Sequence, residues 1–229
     1  TVATSFGTDT SGAHRCQTHK GPWIEVVRAL FTAGDFRIHH FQIGRRPAVL
    51  AVRGQWTFTD QEAIDTIRKV VSCVREFWRD DNFPYVLVTL KPYDRDHGDS
   101  DGSAFTNAFW LYVSRLDSFS SVLTMLSHET FHLWNPLRMG LLSNEAASET
   151  GWFTEGFTRY YGPLAVYNTG LLSASDYVDS LNQDLRRFPT SNDSLSRGRV
   201  IALWLDGSIR RESDGRRSLN NVMLDMVRG

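Results

Sequence analysis

The sequence predicts an α+β protein, because short apolar strands crowd the chain as far as Phe58, helical periodicities dominate the remaining residues, and no internal repeat or low-complexity tract interrupts either part. Residues 1–20 are rich in Thr, Ser and Gly, carry His14 and His19 and lack any apolar period, so they read as a tail or linker. Residues 21–58 read as a β-rich edge of three short antiparallel strands, Trp23–Val27, Phe36–Phe41 and Ala48–Val52, punctuated by Gly34, Gly44, Pro47 and Gly54. After Thr59 and Asp60, either of which is a good helix cap, Ile64, Ile67, Val70, Val71, Val74 and Phe77 recur at steps of three and four. That is the stripe of an amphipathic helix. Tyr85–Leu90 is a buried strand, 92–103 a polar, acidic loop, and Ala108–Val113 a further strand. Ser118–Trp134 forms a helix capped by Ser118 and stopped by Pro136, since the residue before a proline is pushed out of the helical region. Further helices are expected at about 152–168, 174–187, 197–212 and 218–228, the last capped by Ser218. Residues 59–229 are thus mixed and then helical, with no boundary that would separate a second domain from 21–229.

Composition narrows the function classes. At 229 residues with 41% hydrophobic and 22% charged side chains, the chain can build a real core, which excludes intrinsic disorder. Its 25 basic and 26 acidic side chains nearly cancel, so no global field attracts a nucleic acid or an anionic membrane, and no nucleic-acid partner is expected. No apolar run reaches the roughly eighteen residues that a membrane span needs, and Thr1-Val2-Ala3-Thr4 shows no signal region; a soluble protein is expected. Cys16 and Cys73 allow one disulfide at most, so the fold is not a cysteine-stapled scaffold.

Chemistry concentrates in the helix before Pro136, where His128-Glu129-Thr130-Phe131-His132 forms an H-E-x-x-H. Four residues along an α-helix are about 400° of rotation and roughly 6 Å of rise, so the two imidazoles project from one face, one turn apart, and can grip one metal ion. Glu129 lies about 100° round the helix from His128, close enough to reach a water on that metal as a general base without ligating it. A catalytic zinc takes three protein ligands and leaves one position open. One class of such sites needs Gly at 135 and His at 138, where this chain has Asn135 and Arg138. Another takes a Glu from the start of a second helix, and Trp152-Phe153-Thr154-Glu155-Gly156-Phe157 supplies Glu155, with the loop 136–150 turning the chain back. The bland alternative is that His128 and His132 are ordinary packing or surface histidines and Glu129 a solvated charge.

The segments HETFHLWNP and GWFTEGFTRYYG resemble the metallopeptidases of the glycyl aminopeptidase family, and IALWLDGSIR (201–210) and RSLNNVMLDM (217–226) are similar to that family's later helices. The resemblance covers about 22–229. It implies a thermolysin-like zincin catalytic domain, with N-terminal strands packed on a mostly helical half that carries the H-E-x-x-H helix. It also implies zinc held by His128, His132 and Glu155, Glu129 as the base, peptide substrates, aminopeptidase-like action, and a secreted or periplasmic setting.

Three departures from the family pattern stand out. The family's Gly-Gly-x-Glu-His strand, whose Glu is expected to bind the substrate's amine, corresponds here to 101–107 (DGSAFTN), without Glu or His, leaving Asp99 or Asp101 as replacements or as ordinary solvated acids. Leu195 stands where the family shows a Tyr that steadies the oxyanion, and losing such a donor costs about 10²–10³ in rate. Tyr160, Tyr161 or Tyr177 are the candidate substitutes. Arg159 replaces an Asp that orients a ligand histidine in related enzymes, with Asn144, Glu145 and Glu149 as alternatives for that task. These departures favour a second reading, a zinc-binding but catalytically weakened homologue that binds peptides or a protein partner.

Overall fold

The computed structural model describes residues 1–9, 18–93, 100–115, 122–140, 144–190 and 193–228, and over 144–148 the backbone alone. It divides into two compact units, Thr1–Leu133 and Trp134–Gly229. Among the described residues no helix is long and apolar enough to cross a membrane.

The first unit holds two sheets. β1 (Val2–Thr4), β2 (Gly7–Asp9) and β3 (Phe31–Ala33) make an antiparallel sheet in the order β2-β1-β3. Residues 2–9, expected within a tail, are therefore structural. Ala3 is buried in a cluster with Leu30, Phe36, Val49, Ala51, Leu87 and Ala108, and Ser5 Oγ accepts the Leu30 N–H at 2.8 Å. The remainder of that expectation, including His14 and Cys16, lies outside the described residues. Trp23–Val27 is also corrected: it is a one-turn helix, α1, with none of its residues buried and Trp23 76% exposed. Its β-branched, aromatic composition suggested a strand, but a strand preference expresses a half-buried pleated surface, and Trp23, Ile24 and Val27 are exposed here.

The larger sheet comprises β4 (Arg37–Ile43), β5 (Arg46–Val52), β6 (Val86–Tyr93), β7 (Ser100–Phe105) and β8 (Ala108–Ser114), in the order β4-β5-β6-β8-β7. β4 and β5 form an antiparallel hairpin, β5, β6 and β8 run parallel, and β7 returns antiparallel along β8. The parallel step from β5 to β6 needs a crossover, which α2 (Asp60–Trp78) provides. Thr59 and Glu62 close a capping box on α2, and Ile64, Ile67, Val70, Val71 and Val74 are all buried, as the periodicity requires. Asp60 receives two hydrogen bonds from Arg37 at 2.7 and 2.8 Å and pairs with His39 at 2.6 Å, fastening the helix start to β4. The expected loop 92–103 gives way at its end to β7. No β-branched run marks that strand; its pairing with β8 imposes the extended form.

α3 (Leu123–His132) packs against α2, β7 and β8, and the Phe131 ring lies 4.8 Å from Trp78 and 5.6 Å from Phe77. It ends at His132, two residues earlier than expected; the predicted cap Ser118 lies outside the described residues. The Asn135-Pro136 peptide beyond it is cis.

The second unit is helical: α4 (Asn144–Asn168), α5 (Ala174–Arg187), α6 (Ser194–Glu212) and α7 (Leu219–Arg228). α4 starts well before 152, so Glu155 sits in the body of the helix and not in its first turn. α6 begins at Ser194 because Asp193 caps it, accepting the N–H groups of Leu195 and Ser196. α4 and α6 pack with their backbones almost in contact. A Cβ on Gly156 would stand 2.3 Å from Gly198 Cα, and one on Gly198 only 1.9 Å from the Trp152 carbonyl oxygen. Gly207, farther along α6, has nothing within 4 Å of such a Cβ.

These two glycines of one helix should therefore respond oppositely to alanine. Gly198→Ala is expected to destabilise by at least about 1–3 kcal/mol through overpacking, whereas Gly207→Ala should stabilise by about 0.5–1 kcal/mol through helix propensity. Urea denaturation of both variants checks this, and equal effects would contradict the crossing described.

Candidate metal centre

α3 brings its two histidines together as the spacing requires. The Nε2 atoms of His128 and His132 are 2.9 Å apart, their rings crossing at 86°. Two nitrogens so placed share either a proton or a cation. Their helix is held by Leu123, Leu126, Thr130 and Phe131, all buried, with Thr130 Oγ1 donating to the Leu126 carbonyl at 2.7 Å. His132 is 8% exposed and Glu129 only 3% exposed. Against Glu129 lies the backbone of β7: a Cβ on Gly102 would sit 2.7 Å from Glu129 Cγ and 2.9 Å from both Cδ and Oε1. An isolated glycine in a strand marks such an approach, and this was the available signal for Gly102.

Glu155 is presented by α4, whose turn from Thr154 to Thr158 is pinned by Asn135. The fully buried Asn135 donates from Nδ2 to the Thr154 carbonyl and to Thr158 Oγ1, both at 3.2 Å, while Thr158 Oγ1 donates to the Thr154 carbonyl at 2.6 Å. In the sequence Asn135 stands out only as a non-glycine; its anchoring role depends on contacts with residues far along the chain. His128, His132 and Glu155 together are a group of the kind that could hold a metal ion. Two imidazole nitrogens and one carboxylate oxygen make a donor set suited to a borderline divalent cation such as Zn²⁺.

The other sequence candidates fall elsewhere. Asp101, on β7, is exposed and accepts the Gly102 N–H at 2.8 Å; Asp99 lies outside the described residues. Leu195 occupies the first turn of α6. Tyr160 donates its hydroxyl to Asp206 at 3.3 Å and Tyr161 to Asn220 at 3.0 Å, while the Tyr177 ring stacks on Tyr167. Burial, with the nearby Asp206 charge, pushes the Tyr160 and Tyr161 hydroxyls up. Arg159 serves packing between helices: it makes a two-pronged contact at 3.0 Å with the buried carboxylate of Asp184, which also accepts from Arg199 at 2.8 Å and Ser196 at 3.1 Å. Glu149 is exposed, and the side chains of Asn144 and Glu145 lie outside the described residues.

Residues 121–202, which include H-E-x-x-H and Glu155, match the family model for M61 glycyl aminopeptidase. No curated protein matches the chain in sequence. Among solved structures, the chain is similar to an aminopeptidase N family protein from Idiomarina loihiensis, with TM-score 0.79 and 20% identity over 99% of this chain and 46% of that one. It is also similar to an M1 zinc metallopeptidase from Deinococcus radiodurans, with TM-score 0.55 and 14% identity over 85% and 44%. At these identities the likeness is one of fold, and the chain spans about half the length of the structures it matches.

The Asp184 network sets an acid limit on stability. Burial alone would raise this carboxyl, but hydrogen bonds from Arg159 and Arg199 hold it below the usual aspartate range. A native value below the unfolded one stabilises fully above about pH 4, and that contribution is lost as the pH falls through the native value. Asp184→Asn should destabilise at neutral pH by about 3–5 kcal/mol, since it strands the buried Arg199. Chemical denaturation should also show the variant losing less stability than the parent between about pH 5 and pH 2.5.

Proposed function

We propose that the protein is a zinc-dependent peptidase with a thermolysin-like catalytic unit, in which His128, His132 and Glu155 hold the metal and Glu129 is the general base. The observation that carries this is the pair of imidazole nitrogens of His128 and His132, 2.9 Å apart on α3, with a buried carboxylate at the adjacent position of the same helix. The donor set fits zinc, and its match to a peptidase family selects peptide bonds among the substrates such a site can hydrolyse. Bound there, zinc supplies a Lewis acid and lowers the pKa of water toward neutrality.

The chain's own residues do the rest. Glu129, with Gly102 pressed against it, takes the proton of the attacking water on its carboxylate and returns it to the leaving amine. Low exposure strengthens that carboxylate's interaction with a nearby positive charge. Leu195 has no hydroxyl to offer an oxyanion, and Tyr160 and Tyr161 are committed to Asp206 and Asn220. Turnover is therefore expected to be lower, by about 10²–10³, than in a site with a tyrosine donor. An aminopeptidase-like preference is what the family and the structural relatives suggest. A weakened binding module is the less favoured reading.

Zinc titration of the metal-stripped protein is expected to give one tight equivalent, with His132→Ala and Glu155→Gln weakening it tenfold or more. Glu129→Gln should keep the equivalent and lower peptide turnover by about 10²–10⁴. Cleavage that survives metal removal, or that is unchanged in Glu129→Gln, would refute the proposal.

A further inference from the structure

Asn135 deepens the peptidase reading, because it reaches from the segment that continues H-E-x-x-H to the helix that bears Glu155. It follows His132 by three residues, belongs with α4 to the second unit and is fully buried. The Thr154 carbonyl can only accept, so the group that meets it is the amide nitrogen of Asn135 and not the amide oxygen. That nitrogen has two hydrogens and two acceptors, the Thr154 carbonyl and Thr158 Oγ1, each at 3.2 Å. The roles at Thr158 follow. Its hydroxyl accepts from Asn135 and gives its one hydrogen to the Thr154 carbonyl at 2.6 Å.

Two side-chain donors thus close on one carbonyl oxygen. A threonine bonding back to the carbonyl four residues earlier is ordinary in a helix, so the amide is the added element. The oxygen it holds belongs to the peptide plane that Thr154 shares with Glu155. Because that plane is rigid, holding its oxygen also holds the Glu155 nitrogen and, within a helix, the direction in which the Glu155 Cα–Cβ bond leaves α4. Thr154 and Thr158 are buried on either side of Glu155, which is itself only partly buried, so the fixed turn presents a carboxylate that burial alone does not orient.

We propose that Asn135 is a positioning residue for the metal: it fixes the turn of α4 on which Glu155 rides, and thereby sets the affinity of His128, His132 and Glu155 for a divalent cation. This rests on the metal site of the peptidase reading. Asn135 acts through Glu155 and is not itself a ligand.

The test measures the zinc affinity of the metal-stripped full chain by competition with a chromophoric chelator, together with the visible spectrum of bound Co²⁺, which reports on coordination. Asn135→Ala is expected to weaken zinc binding by about ten- to a hundredfold and to move the Co²⁺ spectrum toward that of Glu155→Gln. Since both changes act through one ligand, the double variant should bind within about twofold of Glu155→Gln alone. Thr158→Val, which keeps the shape and removes one of the two acceptors, should move both readouts in the same direction by less. An Asn135→Ala affinity within about twofold of the parent, or losses that multiply in the double variant, overturns the inference and leaves the peptidase reading standing. If Asn135→Ala does not fold, Thr158→Val decides by the same readouts; if neither folds, the contacts serve stability alone and the inference falls. A parent chain that binds no zinc overturns both.

Discussion

One helical turn carries the proposed metal pair of this molecule. His128 and His132 can face a common ion only while α3 stays regular between them, and the regularity is enforced from outside, by Leu126, Thr130 and Phe131 packing into the first unit. In an isolated peptide a ten-residue helix would be marginal. Here the apolar face is buried, and His128 and His132 meet on the same helix with their Nε2 atoms 2.9 Å apart. The same packing brings β7 against α3, so that the strand's one glycine and the helix's glutamate meet.

The second unit meets its own demand in a different way. In the proposed site α4 presents Glu155 from mid-helix, where no end effect or cap helps to orient it. Asn135 fastens the turn from one side, and α6 lies against another with so little space that Gly156 and Gly198 carry no side chains. The Arg159–Asp184–Arg199 group then joins α4, α5 and α6 by charge. Such a buried group is costly to break and gives little stability over an apolar replacement, so its value lies in fixing register.

Much of this was legible in the amino-acid order, wherever a local rule and the tertiary structure agree. α2 shows it best: its stripe of Ile and Val is fully buried, and its cap follows from Thr59 and Glu62. H-E-x-x-H is likewise local, since helical geometry alone brings the imidazoles together. Glu155 could be nominated from its surrounding motif, but not its place within α4, because nothing in 136–150 marked the earlier helix start. Trp23–Val27 misled because its apolar residues are exposed, so composition and burial point in opposite directions. β7 was hidden because Asp, Gly and Ser suggest a turn, and only β8 makes them a strand. Asp184 was beyond reach, as its partners Arg159 and Arg199 are distant in sequence and no periodicity links them.

Asp206 ties three helices to one carboxylate. It accepts the Tyr160 hydroxyl from α4, the Arg210 guanidinium from its own helix and, at 2.8 Å, the backbone N–H of Leu219 that opens α7. The last helix is thus moored at its leading end by an acid borrowed from its neighbour. Any chain cut or redesigned between α6 and α7 would free that mooring and take Asn220 away from the Tyr161 hydroxyl of α4, so the terminal helix cannot be trimmed without disturbance reaching the element that bears Glu155.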